Sequence, residues 1–574
     1  RSQYKTLKEL CKTPMKTPLV FSLAMVAICL QACNKPAPIV SGEKTSSNLI
    51  SQSDNSWYLQ SAAKVEDIHQ AVTNISRTRG GAKNIILFVG DGMSIATTTA
   101  ARILDGQRKG MAGEEHSLSF GHFPFTGLMK TYNVDAQTPD SAGTMTAIIS
   151  GVKTDVGVVG VDEDVILEDC SSMAGNQLIT ALELAEIAGL STGILSTARI
   201  THATPAAAYA KSPSRDWEDI SNMPLEAVVA GCEDIALQLI NFEGNLEARF
   251  EGADINGIDV VMGGGRRHFL PRDAESNSLD ASSPVEGDRT DGRNLIKEWQ
   301  ALYPQGVYID RQQGFDALDI NSEVPVFGLF NESHMLYEAD RANDIGGEPS
   351  LSEMTKVSLD ILDKNPKGYF LLVESGRIDH GHHANSAYNA LTDTIEFSRA
   401  IQAAVDHSNP DETLIIVTAD HGHVFTIAGY PKRGNPILGK VVDVGTEKLA
   451  KGLDGLPYTT LSYANGPGFH DFGDETNADR VYYTKPFMGR ADLTHIDTQS
   501  SGFHQEAMIA KRSESHSGED VAVYATGPGA HLVSGTQEQS GIFHIMNFAA
   551  NLSGKAETAL SQQKALSQQT ALSQ

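Results

Sequence analysis

Basic residues are few in this chain. Lys and Arg number 45 against 72 Asp and Glu, and the formal net charge is −27. A surface that acidic excludes wrapping of nucleic acid and adhesion to anionic membranes. Long apolar runs are also missing. The longest, Leu19 to Leu30, is too short to cross a bilayer as a stable helix. Cysteine is rare, with five in 574 residues. What remains is 40% apolar and 20% charged, the balance of a globular body rather than a disordered one. The length is too great for one small core, which leaves one large domain with insertions, or two domains.

The N-terminus reads as a targeting segment. Met15 stands as the start, with residues 1–14 as upstream sequence. Lys16 supplies a positive region ahead of the apolar run. The run ends in Leu30-Gln31-Ala32-Cys33, which resembles a bacterial lipoprotein cleavage box with an unusual Gln31. The resemblance implies a signal peptide over 15–33 and a lipid on Cys33; an ordinary signal peptide is the competing reading. Residues 34–56 read as a polar tether. Asn34 after the cysteine favours the outer membrane in a Gram-negative host. Cys11 and Cys29 would leave with the leader and Cys33 would be lipidated, so Cys170 and Cys232 remain as an even pair in an oxidising compartment. A disulfide between them follows as a hypothesis.

The body, 57–554, is expected to be a mostly parallel α/β sheet with helices on both faces. Apolar runs without alternation predict buried parallel strands at Asn84–Val89, Gly193–Ser196, Asp259–Met262, Pro325–Phe330, Tyr369–Val373, Thr413–Thr418 and Asp520–Tyr524. Helices are expected at Gln177–Ala188, Glu233–Ile240, Ser352–Leu362 and Ala387–Val405, making right-handed crossovers. Residues 426–511 break the rhythm and read as an insertion. The tail, 555–574, carries a six-residue repeat of Ala-Leu-Ser-Gln-Gln and reads as low complexity, disordered or a frayed helix.

Chemistry concentrates where strands end. Gly90-Asp91-Gly92-Met93 follows the first run. Glu374 and Arg377-Ile378-Asp379-His380-Gly381-His382-His383 follow the fifth, and Asp420-His421-Gly422-His423 the sixth. Glu514-Ser515-His516 precedes the last. Open α/β sheets bind ligands at the carboxyl ends of their strands. Alone, Asp91 reads as a turn aspartate and the histidines as solvated loop residues. Together, carboxylates with imidazoles suit zinc, and a mostly oxygen set suits magnesium. Ser141, in Pro139-Asp140-Ser141-Ala142-Gly143, precedes a helical stretch at Met145–Ile149. That places it at a helix N-terminus, which favours an alkoxide or a bound phosphate. A plain N-cap is the alternative.

These motifs, with His202-Ala203-Thr204-Pro205 and His516-Ser517-Gly518-Glu519-Asp520-Val521, resemble the alkaline phosphatases, the animal-type branch and its bacterial relatives, from about Asn84 to Asn547. The resemblance implies the family fold with a crown-like insertion at 426–511. It implies a first zinc on Asp379, His383 and His516. A second would sit on Asp91, Asp420 and His421, and a magnesium on Asp91, Thr204 and Glu374, with His202 behind it. Ser141 would be the nucleophile and Arg215 the grip on phosphate. Bound metals would supply the positive charge that so acidic a chain lacks for an anionic substrate. Phosphate monoesters are the implied substrates and a homodimer the implied assembly. The resemblance also implies the Cys170–Cys232 bridge. Animal-type relatives often carry calcium near the region of Asp291, but the local sequence departs too far to assign its ligands. A phosphodiesterase or sulfatase of the same superfamily is the near alternative; a non-catalytic surface lipoprotein that binds metal or phosphate is the distant one. The expected place is the periplasm or cell envelope, held to membrane only by lipid.

Overall fold

The computed structural model describes residues 52–73 and 81–573. The proposed signal peptide, Cys33 and most of the tether lie outside the described residues. A ten-stranded sheet forms the centre. Its first eight strands in chain order are β1 (Asn84–Gly90), β2 (Phe125–Lys130), β3 (Ser191–Arg199), β4 (Val260–Gly264), β5 (Val307–Ile309), β6 (Val326–Leu329), β7 (Tyr369–Ser375) and β8 (Thr413–Thr418). Two more, Val521–Thr526 and Gly535–Glu538, complete it. Across the sheet the order is Gly535–Glu538, β2, Val521–Thr526, β8, β1, β7, β3, β4, β6, β5. β1 lies between β7 and β8 in parallel register, with Phe88 opposite Val373 and Val89 opposite Thr418. All three strands are buried along their whole length, which is why their sequences are apolar without alternation.

One expected strand differs in direction. Val521–Thr526 runs antiparallel to both neighbours, β2 and β8, rather than parallel. The reversal brings its N-terminal end to the edge where β1, β7 and β8 finish, so the histidine of this segment precedes its strand. Three sheet strands have no counterpart in the sequence reading. β2 alternates buried and part-exposed positions, β5 has three residues, and Gly535–Glu538 has no apolar residue. None is a continuous apolar run.

The helices that matter for the site are α1 (Ser56–Thr73), α2 (Ile95–Arg108), α3 (Ser141–Ser150), α4 (Ala181–Ala188) and α5 (Ala203–Tyr209). α4 starts four residues later than the apolar pattern suggests. Thr180 and Glu183 form a reciprocal capping box that fixes its first turn. The insertion folds into two small sheets, one of Phe425–Ile427, Leu461–Gly466 and Ala507–Ala510, the other of His470–Asp471 and Phe503–His504.

Two boundaries move. Gln52, assigned above to the tether, is buried. Its amide donates to the Ser150 and Ile179 carbonyls at 3.0 and 2.8 Å and accepts from the Ile179 N–H. The tail is one helix, Leu552–Ser573, neither disordered nor detached. Ala556 and Leu560, one turn apart, are buried in the core, and this helix packs on α4. Among the described residues no helix is long and apolar enough to cross a membrane.

Cys170 and Cys232 are joined, closing a loop of 62 residues that contains His202, Thr204 and Arg215. Constraining the unfolded chain over that length is worth about 4 kcal/mol in the chain-entropy picture. The double replacement Cys170→Ser, Cys232→Ser should therefore melt earlier while keeping turnover at low temperature. Its activity should also depend more on added magnesium. Thermal melts paired with a magnesium titration check both. Two free thiols on peptide mapping of the native protein would remove the basis of this expectation.

Candidate metal centre and nucleophile

The carboxyl edge of the sheet gathers the candidate nucleophile and metal-site residues. Asp91 follows β1, Glu374 is the last residue but one of β7, and Asp420 and His421 follow β8. Asp379 and His383 sit one turn apart on the helix Arg377–His383. His516 begins a two-residue strand that pairs antiparallel with Gly422–His423, so His516 faces His423. Gly92 is held at φ +68°, and a Cβ there would lie 2.3 Å from His423 Nε2. Only glycine allows this turn to bring Asp91 in so closely.

Two triads have the spacing of a metal shell. Asp379 Oδ1 lies 3.3 Å from His383 Nε2 and 3.4 Å from His516 Nε2, and the two imidazole nitrogens are 3.2 Å apart. His421 Nε2 lies 3.3 Å from Asp91 Oδ1, 3.3 Å from Asp420 Oδ2 and 3.0 Å from Ser141 Oγ. A tetrahedral ion with bonds of about 2.0–2.1 Å has edges of about 3.3–3.4 Å between its ligands. Three donors in the first set, and three plus the serine hydroxyl in the second, therefore stand where zinc ligands would stand.

The hydrogen bonds behind these donors also fit. His383 donates Nδ1–H to the Glu514 carbonyl at 2.7 Å, and His516 donates Nδ1–H to the Pro139 carbonyl at 2.8 Å. Each bond sets the tautomer that leaves Nε2 free to ligate. Burial pulls His383 down to about 4 and His421 well below its ordinary value, so both are neutral ligands at working pH.

A third set is made mostly of oxygen. Asp91, His202 and Glu374 converge, with Thr204 at the start of α5 nearby. Ser196 donates to Glu374 Oε2. Glu374 Oε1, both Asp91 oxygens, Asp420 Oδ2 and Thr204 Oγ1 are buried without a hydrogen-bond partner. Natural interiors rarely leave so many polar atoms unmatched in one place. Burial comes first among the causes that raise Asp91, Asp420 and Glu374, followed for Asp91 by the charges of Asp420, Asp379 and Glu374. This donor set suits a cation.

Ser141 is the first residue of α3 and is 2% exposed. The N-cap is Asp140, whose Oδ1 accepts from the Gly143 N–H at 3.1 Å. Its Oδ2 meets Arg215 at 3.1 Å. The capping role and the reactive role thus fall on adjacent residues. Asp140 ties the helix start to the guanidinium, and Arg215 also reaches His202 Nε2 at 3.3 Å. The candidate nucleophile, phosphate and metal-site residues taken from the sequence lie together at this edge.

Two residues were not singled out as site residues. His423 lies between Glu514, at 2.5 Å, and Asp379, at 2.8 Å. Despite burial, these two carboxylates raise it to about 10. A charged His423 steadies Asp379 from behind. The signal available was the spacing of two: 421 with 423, and 514 with 516, one face of a short strand each. The insertion contributes as well. Tyr463 and Thr97 hold the two ring nitrogens of His382 at 2.8 Å each, bracing the helix that carries Asp379 and His383.

A sheet with these carboxylates and imidazoles at its carboxyl edge defines a metal-dependent hydrolase. The family model described as alkaline phosphatase matches residues 82–552, and the chain belongs to the alkaline phosphatase family. The tissue-nonspecific alkaline phosphatase of Gallus gallus is 41% identical over 499 residues, covering 86% of this chain and 87% of that protein. That of Homo sapiens is 42% identical over 472 residues, covering 82% and 84%. Among solved structures, Thermus thermophilus alkaline phosphatase is 21% identical with a TM-score of 0.55, covering 86% of this chain and 98% of that one. The enzyme of the Antarctic bacterium TAB5 is 20% identical with a TM-score of 0.53, covering 82% and 99%. These two likenesses speak to the fold.

Proposed function

We propose that the chain hydrolyses phosphate monoesters through a phosphoserine on Ser141, with two zinc ions and one magnesium. The observation that carries this reading is the set of distances from His421 Nε2 to Ser141 Oγ, Asp91 Oδ1 and Asp420 Oδ2, 3.0, 3.3 and 3.3 Å, which are near the edge lengths of a tetrahedral zinc shell. Asp379, His383 and His516 would hold one zinc, and Asp91, Asp420 and His421 the other. Asp91, Thr204 and Glu374 would hold the magnesium, with His202 behind it. When bound, these ions lower the pKa of a hydroxyl and offset charge on the phosphoryl and leaving oxygens.

The chain's own residues do the rest. The α3 N-terminus directs free N–H groups and the positive end of its dipole toward the phosphoryl group. Ser141 Oγ forms a bond to phosphorus as the ester P–O bond breaks and the alcohol leaves. Water then cleaves the Ser141 phosphoester, releasing inorganic phosphate and restoring the hydroxyl. Arg215, aimed by Asp140, forks onto two phosphoryl oxygens. The transition state of such transfer is loose, so positioning dominates over base chemistry. Recognition of the phosphoryl group rather than of its alcohol supports monoesters of many kinds as substrates. Turnover of a chromogenic monoester with and without chelator tests the reading. Turnover of a diester or a sulfate ester alone would move the chain to the phosphodiesterase or sulfatase alternative.

Arg215→Ala should weaken inhibition by inorganic phosphate by about 1.5–3 kcal/mol, the scale of a hydrogen bond to a charged group. Zinc content should stay unchanged. Unaltered phosphate inhibition would take Arg215 out of the site.

The lipoprotein box supports an exported, lipid-anchored protein of the cell envelope. Intact mass should give a mature chain that starts at an acylated Cys33, and Cys33→Ser should release it from membranes. An unmodified terminus downstream of Cys33 would reject the anchor. A homodimer accords with the family, and the exposed Tyr430, Tyr483 and Met488 of the insertion are surface that such an assembly would cover.

A further inference from the structure

Away from the metal centre, a cavity of about 510 Å³ opens beside the Cys170–Cys232 bridge. Its volume is that of a small-molecule site. The walls are mixed: Met173, Tyr209, Phe242 and Leu246 supply buried apolar surface, and Glu183, Lys211, Glu233 and Arg249 supply charge. One cation on the wall is poorly matched. Lys211 has a side chain 5% exposed, and Nζ meets Glu183 Oε1 at 3.1 Å. That same oxygen is taken at 2.7 Å by Arg249. The other Glu183 oxygen accepts from the Thr180 N–H in the α4 cap. One carboxylate therefore serves two cations, Lys211 buried and Arg249 partly exposed. Lys211 Nζ has no hydrogen-bond partner in good geometry. Burial pulls this ammonium down to about 8 against the attraction of Glu183, as expected of a charge that is under-compensated.

The second carboxylate on the wall does not fill the gap. Both Glu233 oxygens are occupied, by the amides of Asn241 and Asn245 at 2.7 Å each. The main chain that carries Lys211 is held in place, its N–H donating to Gln238 Oε1 at 2.8 Å and its carbonyl accepting from Gln238 Nε2 at 3.0 Å. A buried cation beside the apolar faces of Phe242 and Leu246 matches a ligand with one negative charge and an apolar body. A phosphate dianion would find too few donors here.

We propose that this cavity is a binding site, separate from the metal centre, for a small monocarboxylate with an aromatic or short aliphatic body. The carboxylate pairs with Lys211, and the body lies against Phe242 and Leu246. The site stands one short helix from Thr204, since α5 (Ala203–Tyr209) carries Thr204 in its first turn and Lys211 follows its end by two residues.

Equilibrium dialysis of radiolabelled benzoate against the metal-loaded full chain, with inorganic phosphate saturating the metal centre, tests the proposal. One saturable equivalent of benzoate is expected, unaffected by phosphate. Lys211→Met should weaken it at least ten-fold. Ala248→Trp, at an exposed position on the cavity lining, should block entry without disturbing the core. Both variants should keep wild-type phosphatase turnover, which separates failure of this site from failure of the phosphatase reading. If Lys211→Met does not fold, Ala248→Trp decides alone. Absence of saturable binding, displacement of benzoate by phosphate, or wild-type affinity in the folded variants would each overturn the proposal.

Discussion

Ser141→Ala is expected to eliminate the phosphoenzyme and to reduce turnover by roughly 10⁴–10⁶-fold, the scale on which loss of a nucleophile acts in covalent hydrolases. The change removes one oxygen from a buried position at the start of α3 and leaves the Asp140 cap in place. Folding and metal content should therefore be close to wild type, and the loss should fall on kcat. Acid quenching with 32P-labelled monoester should trap label on the wild type and none on the variant. Label retained by the alanine variant would place the nucleophile elsewhere. Residual turnover with no trapped label would fit direct attack by water on the bound ester.

Removal of metal should have an effect of similar size. Chelation is expected to reduce activity by roughly 10³-fold or more, because several kcal/mol of charge stabilisation are lost. It should also change how stability depends on pH. Burial and neighbouring carboxylates raise Asp91 and Asp420 in the metal-free fold, and burial with Asp420 pushes Glu374 up to about 8. A carboxyl group raised on folding contributes stability that is complete below its unfolded pKa. That contribution is lost as pH rises through the folded value. The chelated protein should thus lose thermal stability as pH climbs toward and past 8. The zinc- and magnesium-loaded protein should not, because the ions meet the charge. Melting curves across pH, with and without metal, read this directly. A chelated protein that grows more stable with rising pH would reject the argument, as would one that keeps full turnover.

The strands that carry the site were legible because they are buried on both faces. Their interiors, Ile85–Val89, Phe370–Val373 and Leu414–Val417, are apolar throughout, and carboxylates follow at Asp91, Glu374 and Asp420. That abrupt change marks a strand end facing a cavity. The direction of Val521–Thr526 was not legible, since an apolar run looks the same in either sense. β2 and Gly535–Glu538 lie toward one margin of the sheet, where burial is incomplete and the pattern weak. The family motifs named the ligands, yet they did not reveal His423 or Glu514. The role of that pair rests on a contact across 91 residues that no local pattern records. The tail misled for a different reason. Its six-residue repeat looks featureless, but Ala556 and Leu560 are four apart, and that single stripe is enough to seat the first turns against α4.

The place of β1 at the middle of the sheet has a consequence for how the chain is made. Its two neighbours, β7 and β8, come from far along the sequence. Asn84 and Thr413, which share a hydrogen bond, are 329 residues apart. A nascent or translocating chain therefore carries an unpaired, wholly apolar strand until most of the sequence has emerged. Non-local pairing of this kind is slow, and the waiting strand is prone to associate with other chains. His516 arrives later still, so no N-terminal fragment can complete the first metal triad. Truncation before residue 516 should produce aggregation rather than a partly active phosphatase. Filling of that proposed triad can only follow the arrival of His516.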